Sequence, residues 1–205
     1  MNETLLLLSA LGIGFVHSFE ADHLIAVGNI VSRRPNLWLA ARDGVWWGLG
    51  HSTTLLLIGL AVLFVFHQVD AQLFDTIEGF VGVVLIALGV VRLMEVYGHS
   101  GPLQRHDHAR HNRLAFGVGL MHGVAGSGSL MLAVLTQTPS TVAGIGYLLL
   151  FGLGSIGGML VAAWLVSRLA RSEWMYRKGW VRLMPTFTAV GCILAGIYIA
   201  YHNWA

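Results

Sequence analysis

The chain has 205 residues, of which 56% are hydrophobic and only 11% charged, with a formal net charge of +2. A soluble domain carries roughly 25% charged residues, so this chain lacks the polar surface to face water all round. Its single cysteine, Cys192, excludes an internal disulfide, and in so apolar a chain the basic residues report orientation rather than nucleic-acid binding.

A transmembrane helix needs about 20 apolar residues. Six hydrophobic spans are predicted, at 4–31, 44–66, 76–97, 114–137, 141–167 and 183–202. The N-terminus lacks a basic region, so the first span is expected to stay in the mature protein. Trp46, Trp47, Trp180 and Trp204 fall near span ends, as interfacial aromatics do.

Basic residues cluster in alternate loops. Arg33, Arg34 and Arg42 follow span 1. Arg92, Arg105, Arg110 and Arg113 follow span 3, and Arg168, Arg171, Arg177, Lys178 and Arg182 follow span 5. Together these are all twelve Lys and Arg of the chain. The intervening loops hold Asp70 and Asp75 or no charge at all. The positive-inside rule then places both termini outside. A multi-pass protein of a bacterial or archaeal plasma membrane is expected, with the lipid bilayer as its first partner.

The two halves resemble each other. Gly14 to His17 in span 1 recurs as Gly119 to His122 in span 4, and Gly48 and Gly50 in span 2 recur as Gly152 and Gly154 in span 5. Phe80 and Gly89 recur as Phe187 and Gly196, with offsets of 104 to 107 throughout. Three spans per copy force the second copy to enter the membrane upside down. The expected architecture is therefore an all-α integral membrane protein of six helices in an inverted three-plus-three repeat. Its parts would be 1–97, a His-rich cytoplasmic linker at 98–113, and 114–205. Inverted repeats are a transporter signature, with the substrate site near the midplane.

Span 1 contains His17-Ser18-Phe19-Glu20-Ala21-Asp22-His23. Ionisable residues inside a span are rare and usually functional. On a regular helix His17, Glu20 and His23 drift by only about 60° per step and share a face. Asp22 points elsewhere unless the helix unwinds; otherwise it orients a histidine from behind. His51 in span 2 and His122 in span 4 are expected at similar depth. A lone intramembrane histidine usually makes an interhelical hydrogen bond, but Glu20 and Asp22 have no basic partner within the spans. Imidazole suits nickel, cobalt, zinc and copper, whereas magnesium prefers oxygen ligands. The candidate metal set is His17, Glu20, Asp22, His23, His51 and His122. The loop histidines His99, His106, His108 and His111 fit a metal-binding tract or a solvated linker equally well.

The string His17-x4-Asp22-His23 with Glu20, and Gly50-His51-Ser52-Thr53, resemble the signatures of the nickel/cobalt transporter superfamily. Glu20 stands where that family has Asp. The stretch from His122 to Gly128 is similar to its shorter, UreH-like urease-accessory branch. The resemblance implies divalent-metal transport, Ni2+ or Co2+ as cargo, no prosthetic group and no enzymatic activity. A homo-oligomer or a metallochaperone is a candidate partner. Two alternatives use the same histidines: an integral-membrane metalloenzyme built on Glu20-x-x-His23, and a bis-histidine haem protein.

Overall fold

Inside a bilayer every backbone amide and carbonyl must be satisfied by the chain itself, and a helix does this within its own segment. The computed structural model describes residues 3–31, 34, 36–64, 71–98, 108–123, 138, 140–171 and 183–204. Seven helices lie among the described residues: α1 (Glu3–His17), α2 (Ala21–Val31), α3 (Leu37–Phe64), α4 (Ala71–Tyr97), α5 (His108–His122), α6 (Thr141–Ala170) and α7 (Leu183–Trp204). Helix starts carry the expected caps. Asn36 accepts from the Trp38 amide at 2.8 Å and Ser140 from the Ala143 amide at 3.1 Å. Pro185 sits in the first turn of α7, where its missing N–H breaks no helical bond.

Among the described residues, four helices are long and apolar enough to cross a membrane: Leu37–Phe64, Glu78–Tyr97, Thr141–Ala170 and Pro185–Trp204. The pair α1 and α2 makes a fifth if it crosses once. The protein is an all-helical, multi-pass integral membrane protein, and its outward apolar side chains contact the bilayer. Predicted spans 44–66, 76–97, 141–167 and 183–202 appear as α3, α4, α6 and α7. Span 114–137 begins earlier, as α5 at His108, and its part beyond Gly123 lies outside the described residues. So do 99–107 of the proposed linker, with His99 and His106; the remainder from His108 is helical.

The first span requires a correction. It is not one regular helix from 4 to 31. The helix stops at His17, turns through Ser18, Phe19 and Glu20, and restarts at Ala21 bent by 56°. The turn tightens through bonds from the Phe19 amide to the Val16 carbonyl (2.9 Å) and from the Glu20 amide to the His17 carbonyl (3.0 Å). The Ser18 hydroxyl donates to the carbonyls of Gly14 and, across to α6, Ser155. Beyond α2, a buried ion pair pins the link to α3: the Arg34 guanidinium donates to both carboxylate oxygens of Asp43, and Arg171 at the end of α6 donates to the Arg34 carbonyl.

Contacts along the helices fix their relative directions. Leu7 meets Gly146 and Phe15 meets Gly158, so α1 and α6 run parallel. Trp47 meets Gly119 and His51 meets Gly123, so α3 and α5 also run parallel. Gly44 meets Met159 and Gly59 meets Leu148, so α3 and α6 are antiparallel. Gly79 meets Trp204 and Gly89 meets Ala189, so α4 and α7 are antiparallel. The α2 helix packs on α6 and α7, and the main buried cluster forms there, with Ala26, Val27, Trp47, Leu85, Met159 and Cys192.

These contacts come in matched pairs. A Cβ on Gly14 would strike the Phe151 carbonyl; a Cβ on Gly119 would strike the Trp47 carbonyl. Gly154 lies on the Leu11 carbonyl as Gly50 lies on that of Phe116. Gly89 lies on the Ala189 carbonyl as Gly196 lies on that of Gly82. Small residues let backbones approach this closely. Replacing Gly14, Gly50, Gly119 or Gly154 by Ala is expected to destabilise the protein by about 1–3 kcal/mol each. Gly12 and Gly117 have open space around them, and Ala there should be neutral or stabilising by up to roughly 1 kcal/mol. Denaturant unfolding in detergent micelles checks this; equal losses at both sets would rule out backbone contact as the cause.

Candidate metal centre

The break in the first span changes which side chains can meet. His17 is the last residue of α1 and His23 lies in the first turn of α2. Their ring centroids are 4.6 Å apart. On a straight helix six residues advance about 9 Å, so this contact needs the turn. His51, projecting from α3, lies 5.3 Å from both His17 and His23. His122, the last residue of α5, lies 5.6 Å from His23. Trp47 stacks on His23 at 5.7 Å and touches His122 edge-on at 5.6 Å, walling one side of the cluster.

All four rings are buried. His51 and His122 are 0% exposed, His23 1% and His17 7%. The acids lie further out, with side chains 54% exposed for Glu20 and 23% for Asp22. Glu20 is thus not a wedge between two imidazoles, as a regular helix would have it. Its carboxylate lies 2.9 Å from His17 Nδ1. Asp22 accepts from His23 Nδ1 at 3.0 Å, a geometry open to it because the helix is unwound just before it. The Val118 carbonyl accepts from His122 Nδ1 at 3.2 Å.

Carboxylates and carbonyls only accept, so the Nδ1 atoms of His23 and His122 carry the proton and their Nε2 atoms keep a lone pair. The Nε2 atoms of His17, His23 and His122 and both ring nitrogens of His51 are buried with no hydrogen-bond partner among the described residues. Buried polar atoms left unpaired are rare; five in one cluster mark a place built for something other than a hydrogen bond. Donor atoms of His17, His23 and His51 lie within 4.8 Å of one another, as do those of Glu20, Asp22 and His23. Neutral imidazoles held by an acceptor on the far nitrogen are the usual ligands of borderline divalent cations. All six candidates from the sequence therefore fall at one place, in two layers: imidazoles inside, carboxylates behind. Trp47, expected at a membrane interface, is instead buried against the cluster, and Val118 carried no sequence signal. Of the loop histidines, His111 is exposed on α5, about three turns before His122.

The description "Cytochrome C biogenesis protein transmembrane region" matches residues 13–198 of the chain. The chain belongs to that family. This corrects the assignment to the nickel/cobalt transporter superfamily. The two short motifs behind that assignment cover only the first two spans, whereas the match to the cytochrome c biogenesis transmembrane family runs from α1 into α7. Within this family setting the chain is 32% identical over 170 residues to the urease accessory protein UreH of Bacillus sp. (strain TB-90), covering 75% of this chain and 74% of that protein. It is 24% identical over 159 residues to the chloroplast protein FOR GROWTH AND FERTILITY 2 of Arabidopsis thaliana, covering 71% of this chain and 42% of that protein. No solved structure matches.

If the two carboxylates act by holding the imidazoles, Glu20→Gln and Asp22→Asn should each weaken nickel or cobalt binding by about 10–100-fold, the usual cost of losing such a partner. Calorimetry on purified protein measures the loss, and circular dichroism checks that the helices remain. Unchanged affinity in both variants would show that the carboxylates play no part.

Proposed function

We propose that this chain carries a divalent transition-metal cation, nickel foremost and cobalt next, through the His17, His23, His51 and His122 centre. The observation that carries the reading is the set of buried, unpartnered imidazole nitrogens, two of them on rings whose other nitrogen is already hydrogen-bonded. Nitrogen-rich ligation favours nickel, cobalt or zinc over magnesium or calcium. The relative in Bacillus is named for urease, a nickel enzyme, which favours nickel among these. The chain has one cysteine, buried beside Asn29 and the Ile25 carbonyl, so the donors at the centre are borderline imidazole nitrogens, not soft thiolates. A haem between two of these histidines would need an open slot; ring separations of 4.6–5.7 Å among His17, His23, His51, Trp47 and His122 leave none. We read the chain as a transporter rather than an enzyme, in a bacterial or archaeal plasma membrane.

The same proposal includes six crossings and an inverted repeat of 1–97 and 114–205 about the 98–113 link. Helix directions support it. The α1 helix is parallel to α6, α6 is antiparallel to α3, and α3 is parallel to α5, so α1 and α5 point oppositely. Both are 15 residues long and both end on a histidine, His17 and His122. With α1 and α5 opposed, the basic loops fall on one side, the cytoplasm, and the termini on the other. The metal centre then lies where the two halves meet, near mid-membrane.

His51 offers a clean test, because its counterpart at the 104-residue offset is Ser155, a small polar residue in the same kind of helix contact. His51→Ser should therefore fold. It should bind nickel at least about tenfold more weakly than wild type, as should His17→Ala and His23→Ala. Liposomes containing wild-type protein should take up nickel faster than empty ones, and the three variants should match empty liposomes. Normal flux in all three would sink the reading.

A further inference from the structure

The histidine centre is closed by aromatic rings on two opposite sides. Helices α3 and α6 are antiparallel, with Gly48 on Ile156 and Gly152 on Ser52, so position along one gives depth along the other. Trp47, four residues before His51, lies toward the basic loops; its ring stacks on His23 and meets His122 edge-on. Phe151 lies about six residues away in depth, or roughly 9 Å along the axis, on the far side of His51. Its ring centroid is 5.7 Å from that of His17. One turn further out on each side stands a buried polar residue. Asp43 precedes Trp47 by four residues, and Tyr147 precedes Phe151 by four, its ring stacked on Phe151 at 6.2 Å. Trp47 and Phe151, like Asp43 and Tyr147, are 104 residues apart.

The two polar residues are held differently. Both carboxylate oxygens of Asp43 accept from the Arg34 guanidinium, and Arg171 donates to the Arg34 carbonyl. The ends of α2 and α6 and the start of α3 are thereby tied together. The Tyr147 hydroxyl, in contrast, is buried with no hydrogen-bond partner among the described residues. The residue at the same offset from Arg34 is Thr138, which carries no charge. Helix packing alone does not call for an ion pair. Apolar residues in place of a buried pair are often neutral or stabilising, and the equivalent place at Tyr147 does without one.

We propose that Arg34, Asp43 and Arg171 form a latch that holds the centre closed toward the basic loops, while Phe151 and Tyr147 form an unlatched closure on the opposite side that opens more readily. The latch lies at the far end of α2, whose near end is the break at Ser18 to Glu20, bent by 56°. A short helix hinged at one end and tied at the other moves as a unit once the tie is released. Little else holds α2 to α7: Gly28 rests on the Thr188 methyl, and Cys192 makes long sulfur hydrogen bonds with Asn29 and the Ile25 carbonyl. Because α2 carries His23, its swing draws that ring off Trp47 and clears the way toward the basic loops. The proposal deepens the transport reading and rests on it.

Labelling a thiol placed in the centre tests this with no metal present. In a Cys192→Ala background, His51→Cys is reacted with a membrane-impermeant methanethiosulfonate, from the outer face in right-side-out vesicles and from the basic face in inverted ones. The thiol should react at least about tenfold faster from the outer face. Asp43→Asn leaves the Arg34 guanidinium buried and unpaired, so it should raise the basic-face rate roughly tenfold or more and leave the outer rate as it was. Phe151→Ala should raise only the outer rate. Arg171→Gln, a change at an exposed residue, should raise the basic-face rate to a smaller extent, and it carries the test should Asp43→Asn fail to fold. A parent thiol as reactive from the basic face as from the outer would overturn the proposal. So would an unchanged basic-face rate in the latch variant that folds, or a rise at both faces alike. Failure of the transport reading shows separately, as liposomes that take up no nickel while the labelling pattern persists.

Discussion

Within a bilayer, each backbone amide or carbonyl left without a partner costs several kcal/mol, so a helix can break there only where neighbours satisfy what is freed. The turn after His17 meets that condition. Its amides bond back three residues, and the hydroxyls of Ser18 and Ser155 both donate to the Gly14 carbonyl. The break then has three consequences at once. It folds His23 back onto His17. It turns Asp22 to face the His23 ring. It aims the short α2 helix away from α1, so that its far end meets Arg34, Asp43 and Arg171. On a continuous helix none of these contacts would exist.

A broken helix supplies only two of the four imidazoles. The others come from α3 and α5, and they arrive because those helices approach at backbone distance. Gly119 lies on the Trp47 carbonyl and Gly123 on the His51 carbonyl, where any side chain would hold the helices apart. The glycines and the histidines therefore form one design. Removing bulk at Gly14, Gly119 and Gly123 is what places His17, His51 and His122 within reach of His23. It also explains why so glycine-rich a chain retains long unbroken helices elsewhere: most of the buried glycines sit in helix-to-helix contacts rather than in turns.

Much of this was legible in the sequence. Apolar length located α3, α4, α6 and α7, because burial in lipid constrains composition over many residues at once. The six polar residues of the centre were legible as well, because an ionisable group in an apolar span has few reasons to be there. The break was not, since Ser18, Phe19 and Glu20 carry no Pro or Gly signal; what favours the turn is Ser155, more than a hundred residues away. The closeness of His17 to His23 depended on the break and was hidden with it. The Arg34–Asp43 pair carried no sequence signal, since it forms only when α2 turns back toward α3. Membership of the cytochrome c biogenesis transmembrane family was masked by two short motifs that dominate the first two spans while saying nothing of the remaining chain.

Under the proposed inverted repeat, the two halves divide their roles. His17 and His122 are counterparts, but His51 corresponds to Ser155, and Glu20, Asp22 and His23 fall opposite Ala125, Ser127 and Gly128 in the sequence. Three of four imidazoles and both carboxylates thus come from the first half. The second half contributes His122 and, through Ser155, the hydroxyl bond to Gly14 that supports the break. In that repeat one position would be a donor to the centre in one copy, His51, and a brace beside it in the other, Ser155. A site with two equal halves would place its carboxylates on both sides of the histidine cluster. This one gathers them on one side, beside His17 and His23, so that the centre has a charged flank at the helix break and an aromatic flank at Trp47.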